Sequence, residues 1–575
     1  MLQTERLLAR AYFGRFFESE LMPAGLAQAQ LVIWGIALLA APGYLMSFVF
    51  AINYGTVSHA RLVEAILVHR LLYVTFGMMG LGMVAVFMWE GVFPDRRDVR
   101  VLGTLPLGTR THVIARLGAL GVVAAMFCLG MNLPSGVVYG LTLWGNDLAA
   151  DPIRAVAAHV IAISMGGLFL FFALIAAQAV LLNVFGRRTA HRLALLLQVV
   201  FVVVLLQAML FIPMLGPLMR SVFVGKGQTL VAYLPPTWFL ALYDVIAGVA
   251  RPAPARYALA AIGATLGSAV VATALLAGSY RRLVRIALET IDRSRETQAG
   301  LARRVSSALA RLLTKDPVRR AIAGFTLRTL SRSRTHLILL ATYLGFATAI
   351  ALPSFVPLIL RRGSGLDVPS IAVLSLPLVF NFFALVALRV LLALPTEIKA
   401  NWIFRLYLAD DHMVPAIDGV RVALLVAVVV PIATISGLVA TGLWGPGTAL
   451  QHALFTGAAG VLLVDVLMVG LRKIPFTCTY YPGRWRTRTF FPLYAMAFST
   501  YAYSLAGLEV AILERPRPLA FTFLAITVII GGLTYVQRRN LQAPPGFTYV
   551  EEDPDLVFQG FHLSEGLAAG RPPQR

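Results

Sequence analysis

The length of the apolar runs constrains this chain more than any other feature. Hydrophobic stretches of about 20 residues, enough for a helix to cross a ~30 Å hydrocarbon core, occur near residues 31–52, 71–90, 117–140, 156–184, 193–218 and 257–279. They recur near 337–360, 369–394, 420–443, 452–471, 490–511 and 518–536. A segment in lipid must satisfy its backbone polar groups internally, so twelve such runs predict an all-α polytopic membrane protein of about twelve transmembrane helices. Composition agrees, because 58% hydrophobic and 13% charged residues exceed the roughly 45–50% apolar share of a soluble globule.

Basic residues outnumber acidic ones by 49 to 27, and their placement decides what that excess means. With the N-terminus placed in the cytoplasm, 37 of the 49 fall in cytoplasmic segments, 11 fall on the opposite side, and Arg389 lies inside a run. This asymmetry predicts that both termini are cytoplasmic, as expected for a multi-pass protein of a cytoplasmic (inner) membrane. It also accounts for the charge without nucleic acid as a partner and favours contact with anionic lipid headgroups. The two cysteines, Cys128 in a run and Cys478 in a predicted loop, are expected as free thiols.

The densest basic stretch, 280–336, divides the chain. Leu301, Val305, Ala308, Leu309 and Leu312 fall on one helical face with Arg303, Arg304 and Arg311 off it, which predicts a basic amphipathic helix. Two compatible readings stand: a solvated linker that fixes topology, or a docking segment for a cytoplasmic partner. The predicted organisation is an interfacial helix in 1–30, a six-span half over 31–279, the linker, a second six-span half over 337–536 and an extended cytoplasmic tail over 537–575. AYFGRFFESELM and AIAGFTLRTLSR each precede the first run of a half. Charged loops at 93–116 and 394–413 follow the second run of each half, which suggests a parallel six-plus-six pseudo-repeat.

Catalytic signatures are missing from the sequence. VGKGQ at 224–228 has the Gly-Lys pair of a phosphate loop but Arg220 in place of its first glycine, and no HExxH occurs. No cofactor or metal site is expected in this chain. Asp465 is the one acid deep in a run; it reads as a substrate or ion contact, or as a carboxylate paired to a neighbour such as Arg389. Arg389 lies close enough to the inner end of its run to snorkel. Glu90 and Glu509 read as span-end residues. Asn132, Asn183, Gln198, Gln207 and Asn381 read as interhelical hydrogen-bond partners. The aromatic stretch 490–504 reads either as the lining of a path for an amphiphile or as an interfacial anchor. Residues 233–249 (YLPPTWFLALYDVIAGV) read as an amphipathic helix on the outer surface, broken at Pro235-Pro236.

An interfacial helix, six spans, an Arg/Asp cluster followed by Leu105-Pro106-Leu107 after the second span, and an outer LPPTWF turn together resemble permease subunits of the ABC-2 exporter type, here duplicated. The resemblance implies an exporter energised by ATP on a separate ABC-type ATPase. Arg96, Arg97, Asp98 and Arg100 would touch that ATPase in the first half, and Glu397, Lys399, Trp402 and Arg405 in the second. Such permeases have about six spans and pair with a second copy, so this chain is either a pseudo-dimer by itself or half of a homodimer. Two other classes stay open: a non-transporting membrane assembly factor or degenerate permease, and a lipid-acting membrane enzyme.

Overall fold

A computed structural model describes residues 3–16, 28–54, 59–88, 91–92, 107–146, 148–149, 151–184, 187–214, 230–248, 254–288, 314–360, 368–394, 396, 404, 406, 412–477, 496–514 and 519–542. Every regular element among them is helical, and ten helices are long and apolar enough to cross a membrane. A further bent pair raises the number to eleven. The chain is therefore an all-α polytopic membrane protein. Its described residues form two compact units, one of residues up to 288 and one of residues from 314 on.

The first unit begins with α1 (Gln3–Phe16), then α2 (Gln28–Tyr54), α3 (His59–Phe87), α4 (Thr109–Gly145), α5 (Pro152–Val184) and α6 (Arg187–Met214). A short helix, α7 (Pro235–Ala247), precedes α8 (Ala255–Leu288). The amphipathic pattern of α1 is used for docking. Leu8 and Tyr12 are buried against Ala115 and Ala119 of α4, and Leu107 of the Leu-Pro-Leu motif packs on the same cluster. Tyr12 Oη is 2.9 Å from His112 Nδ1, and the Arg116 guanidinium lies 4.5 Å from the Tyr12 ring centre. In the bundle α2 packs on α4, α3 on α5 and α6, α4 on α5, and α8 on α5. Small residues permit the closest crossings, as at Gly140 of α4, where a Cβ would stand 3.0 Å from the Val156 backbone nitrogen.

The second unit contains α9 (Pro317–Arg332), α10 (Arg334–Leu360), α11 (Ile371–Leu391), α12 (Met413–Trp444), α13 (Pro446–Met468), α14 (Met496–Glu514) and α15 (Leu519–Gln542). Asp316 caps α9 by accepting hydrogen bonds from the backbone N–H groups of Val318 and Arg319, and Pro317 occupies the first turn, where no N–H is needed. Ile322, Ala323, Thr326 and Leu330 form the buried face of α9, which packs on α12. Contact is closest at Gly419, where a Cβ would lie 2.6 Å from the Arg319 carbonyl oxygen. Also within this unit, α10 packs on α11, α11 on α13 and α14, α12 on α13, and α13 on α15.

All twelve predicted runs fall on helices over their described residues. In α6 the apolar stretch from Leu193 to Met214 follows a start that carries Arg187, Arg188 and Arg192. α9 and α10 meet at a bend of 81°, so the seventh run is the second arm of a bent pair. The ends of the predicted linker are also helical: α8 continues to Leu288 and α9 begins at Pro317, while the predicted amphipathic helix at 301–312 lies outside the described residues. The predicted tail is helical as far as Gln542.

Candidate functional site

The most developed polar constellation lies in the first unit, around α7. Its helix starts where Pro235 and Pro236 supply a preset φ, and it stops at Gly248, whose φ of 69° is left-handed. Sequence periodicity predicts that this helix lies on the outer surface. Instead eight of its residues, from Pro236 through Asp244 except Trp238, are buried against α3, α5 and α8. The reason is its composition: Phe239, Leu240, Leu242 and Tyr243 leave no polar face broad enough to meet water.

Asp244 is the one carboxylate α7 carries inward, and Arg70 of α3 meets it with Nη1 to Oδ1 at 2.8 Å. The same guanidinium sits 4.9 Å from the centre of the Tyr243 ring. Burial pushes the Asp244 carboxyl above the usual carboxylate range, against the pull of Arg70. Burial likewise raises the Tyr243 phenol. Around this pair run further polar contacts between helices. Tyr54 Oη is 2.7 Å from His69 Nδ1 and 3.2 Å from Tyr139 Oη, and Ser47 Oγ is 2.7 Å from Tyr73 Oη. His159 meets Tyr73 and Tyr243 edge to face, at 4.7 and 6.0 Å between ring centres.

Ser135 Oγ lies 3.2 Å from His159 Nε2, which invites comparison with a catalytic dyad. The hydroxyl, however, donates back to the carbonyls of Met131 and Asn132, and His159 Nδ1 has no carboxylate to orient it. The constellation is thus a network of tyrosines, histidines and one ion pair that ties α7 into the bundle.

Of the residues expected to meet an ATPase, Arg96, Arg97, Asp98, Arg100, Glu397, Lys399, Trp402 and Arg405 all lie outside the described residues, as does Cys478. Asp465 is paired, with Oδ2 2.6 Å from Arg421 Nη2. Arg389, its expected neighbour, instead donates from Nε to the Leu467 carbonyl at 2.9 Å. The apolar run also misplaces Asp465 in depth. Since α13 spans Pro446–Met468, Asp465 stands in its last turn, beside a charged group in which Asp418 lies 3.0 Å from Arg319 and 3.6 Å from Arg538. Two amides make the predicted interhelical bonds: Asn132 to Ser164 Oγ at 3.0 Å and Gln198 to the Val86 carbonyl at 2.8 Å. Asn183 bonds within its own helix, to the Ala179 carbonyl. In the aromatic stretch, Phe498 packs on Phe382 and Phe383 and Tyr501 is buried, so these rings serve the bundle interior.

Sequence reasoning missed two pairs. Arg70, counted among the basic residues opposite the cytoplasm, and Asp244, on the helix expected at the outer surface, lie 174 positions apart, and Glu509, read as a span end, is buried with Oε1 2.6 Å from His452 Nδ1. The signal for Glu509 was present, because the apolar residues Val510, Ala511, Ile512 and Leu513 follow it. No cluster of three or more His, Cys, Asp or Glu side chains fit to hold a metal occurs among the described residues. No family model, curated protein or solved structure matches this chain.

Proposed function

We propose that this chain is a transmembrane permease-like subunit of an ATP-driven exporter, energised by a separate ATPase chain, and that its two units descend from one six-helix design. One observation carries the reading: the units repeat five helix pairings. In each, the amphipathic helix ahead of the first span packs on the third (α1 on α4, α9 on α12), and the second packs on the fourth (α3 on α5, α11 on α13). The second also packs on the fifth (α3 on α6, α11 on α14), the third on the fourth (α4 on α5, α12 on α13), and the sixth on the fourth (α8 on α5, α15 on α13). Both third spans end in Leu-Trp-Gly, at 143–145 and 443–445, and both fourth spans begin at or beside a proline-led start, Pro152 and Pro446.

The units differ where a single task does not require likeness. The first span packs on the third in one unit and on the second in the other, and α7 belongs to the first unit. With an arginine-flanked amphipathic helix seated on each third span, the segments between the second and third spans, ahead of Thr109 and Met413, are the ones that would carry force from a partner.

The test is a charge reversal. Arg96→Glu with Arg97→Glu should leave abundance and insertion intact, since topology depends on the basic total of many loops, but abolish co-purification with an ABC-type ATPase and ATP-dependent export. Unchanged co-purification at normal abundance removes that loop as the coupling site. A wild-type chain that stimulates no such ATPase favours the non-transporting assembly factor.

A further inference from the structure

Several buried polar groups of the second unit lack a protein partner. Asn381 Oδ1 and Nδ2, Thr456 Oγ1, Tyr501 Oη and Glu509 Oε2 all lack one, and the relative exposure of these four residues is 0, 0, 8 and 2%. Such groups in a membrane interior are matched by water or a bound species, because an unpaired polar atom in low dielectric is costly.

They follow one seam. His452, Thr456 and Gly460 stand at i, i+4 and i+8 on α13, one face of a helix. His452 meets Glu509 of α14 at one end of that face. Gly460 meets Asn381 of α11 at the other, where a Cβ would lie 3.4 Å from Asn381 Nδ2 and 2.7 Å from Val429 Cγ1. The ring of Tyr501 is 5.9 Å from that of Phe382, the residue after Asn381. The seam is therefore about 12 Å long.

Two helices that border it are locally widened into π turns, at Leu425–Val429 in α12 and Thr500–Ser504 in α14. Val429 is the residue against Gly460, and Tyr501 lies inside the second turn. π turns of this kind free a backbone carbonyl and occur frequently at functional sites.

We infer that this seam is a proton-binding site, in which Glu509 takes up and releases a proton and the polar groups of Thr456, Tyr501 and Asn381 hold the water that delivers it. The atoms balance simply. Glu509 Oε1 accepts from His452 Nδ1 throughout, and Oε2 receives a proton from hydronium, leaving water, and returns it to water as hydronium. His452 positions the carboxylate.

No other charged group intrudes among the described residues. On α14, Tyr503 is 38% exposed and Glu514 is exposed, leaving Tyr501 as the buried titratable neighbour. Arg389 of α11 is engaged at Leu467. Asp418 and Arg421 of α12, Asp465 of α13 and Arg538 of α15 gather at the far end, Asp465 being about 20 Å along α13 from His452. The inference does not depend on the exporter reading.

Infrared difference spectra of the full chain in phosphatidylcholine nanodiscs, acid minus neutral, test it directly. Protonated-carboxyl C=O bands should appear that shift in D2O, and one of them, the Glu509 component, should be lost in Glu509→Gln, move in frequency in Glu509→Asp and persist in Asp465→Asn. A carboxyl spectrum that Glu509→Gln leaves unchanged, with no component lost, overturns the assignment. Should that variant fail to fold, a carboxyl spectrum that Glu509→Asp leaves unchanged, or bands that ignore D2O, overturn it equally.

Discussion

Replacing Arg70 with methionine removes the only charged partner that Asp244 has in the constellation around α7. Both side chains are largely withdrawn from solvent, at 8 and 13% exposure, so the remaining carboxylate is left uncompensated. Truncating one member of a buried pair costs about 3–5 kcal/mol, whereas replacing both with apolar groups is often close to neutral. Since Asp244 is carried by α7, that cost falls on the docking of α7 and is read as local opening. Hydrogen exchange across 235–247, followed by mass spectrometry, should therefore accelerate by roughly two to four orders of magnitude in Arg70→Met. In Arg70→Met with Asp244→Leu it should return to within about fivefold of wild type, which corresponds to about 1 kcal/mol. The single-variant penalty also depends on pH, with a definite sign. Burial raises the Asp244 carboxyl in the folded state, so the folded chain holds that proton to a higher pH than the unfolded one. The stability this contributes is present at low pH and lost as pH rises through the folded value. After correction for intrinsic exchange, the Arg70→Met penalty should be smaller at pH 5 than at pH 8. Exchange over 235–247 that stays within threefold of wild type in Arg70→Met, or single-variant effects that simply add in the double variant, would refute the view that this pair holds α7.

Gly419→Ala should lower the thermal stability of the second unit, by about 1–3 kcal/mol for an overpacked contact, because the new Cβ meets the Arg319 backbone carbonyl at 2.6 Å and backbone cannot rotate away; a melting curve unchanged from wild type would show that α9 can shift on α12 without cost. For orientation, Ser307→Cys should resist an impermeant thiol reagent in intact cells while Thr448→Cys reacts. External labelling of Ser307→Cys would reverse the topology that the 37 to 11 basic split implies.

Much of the fold was legible because it rests on local, additive quantities. A run of about 20 apolar residues has to be helical in lipid, and every predicted run is helical here. The amphipathic stretch in residues 1–30 was legible for the same reason: Leu8 and Tyr12 share a face whatever they touch. Run length served less well for helix boundaries. α13 starts at Pro446 and α12 at Met413, both ahead of their apolar runs, so Asp465 and Arg421 end up level and paired. Helices extend beyond the hydrophobic stretch that marks them, because backbone hydrogen bonding continues wherever neighbouring elements support it.

The sequence by itself determined the class of protein and where the apolar helices run, since hydropathy acts on each segment separately. Tertiary structure alone decided which polar side chains meet. Arg70 finds Asp244 across 174 positions and Glu509 finds His452 across 57, and no spacing rule links residues on different helices. It also decided that α7 is buried, because a short helix with apolar residues on most of its circumference follows whichever neighbours offer a groove. The physical reason is the same in each case: burial turns a modest polar preference into an obligatory pairing, and burial is a property of the packed bundle.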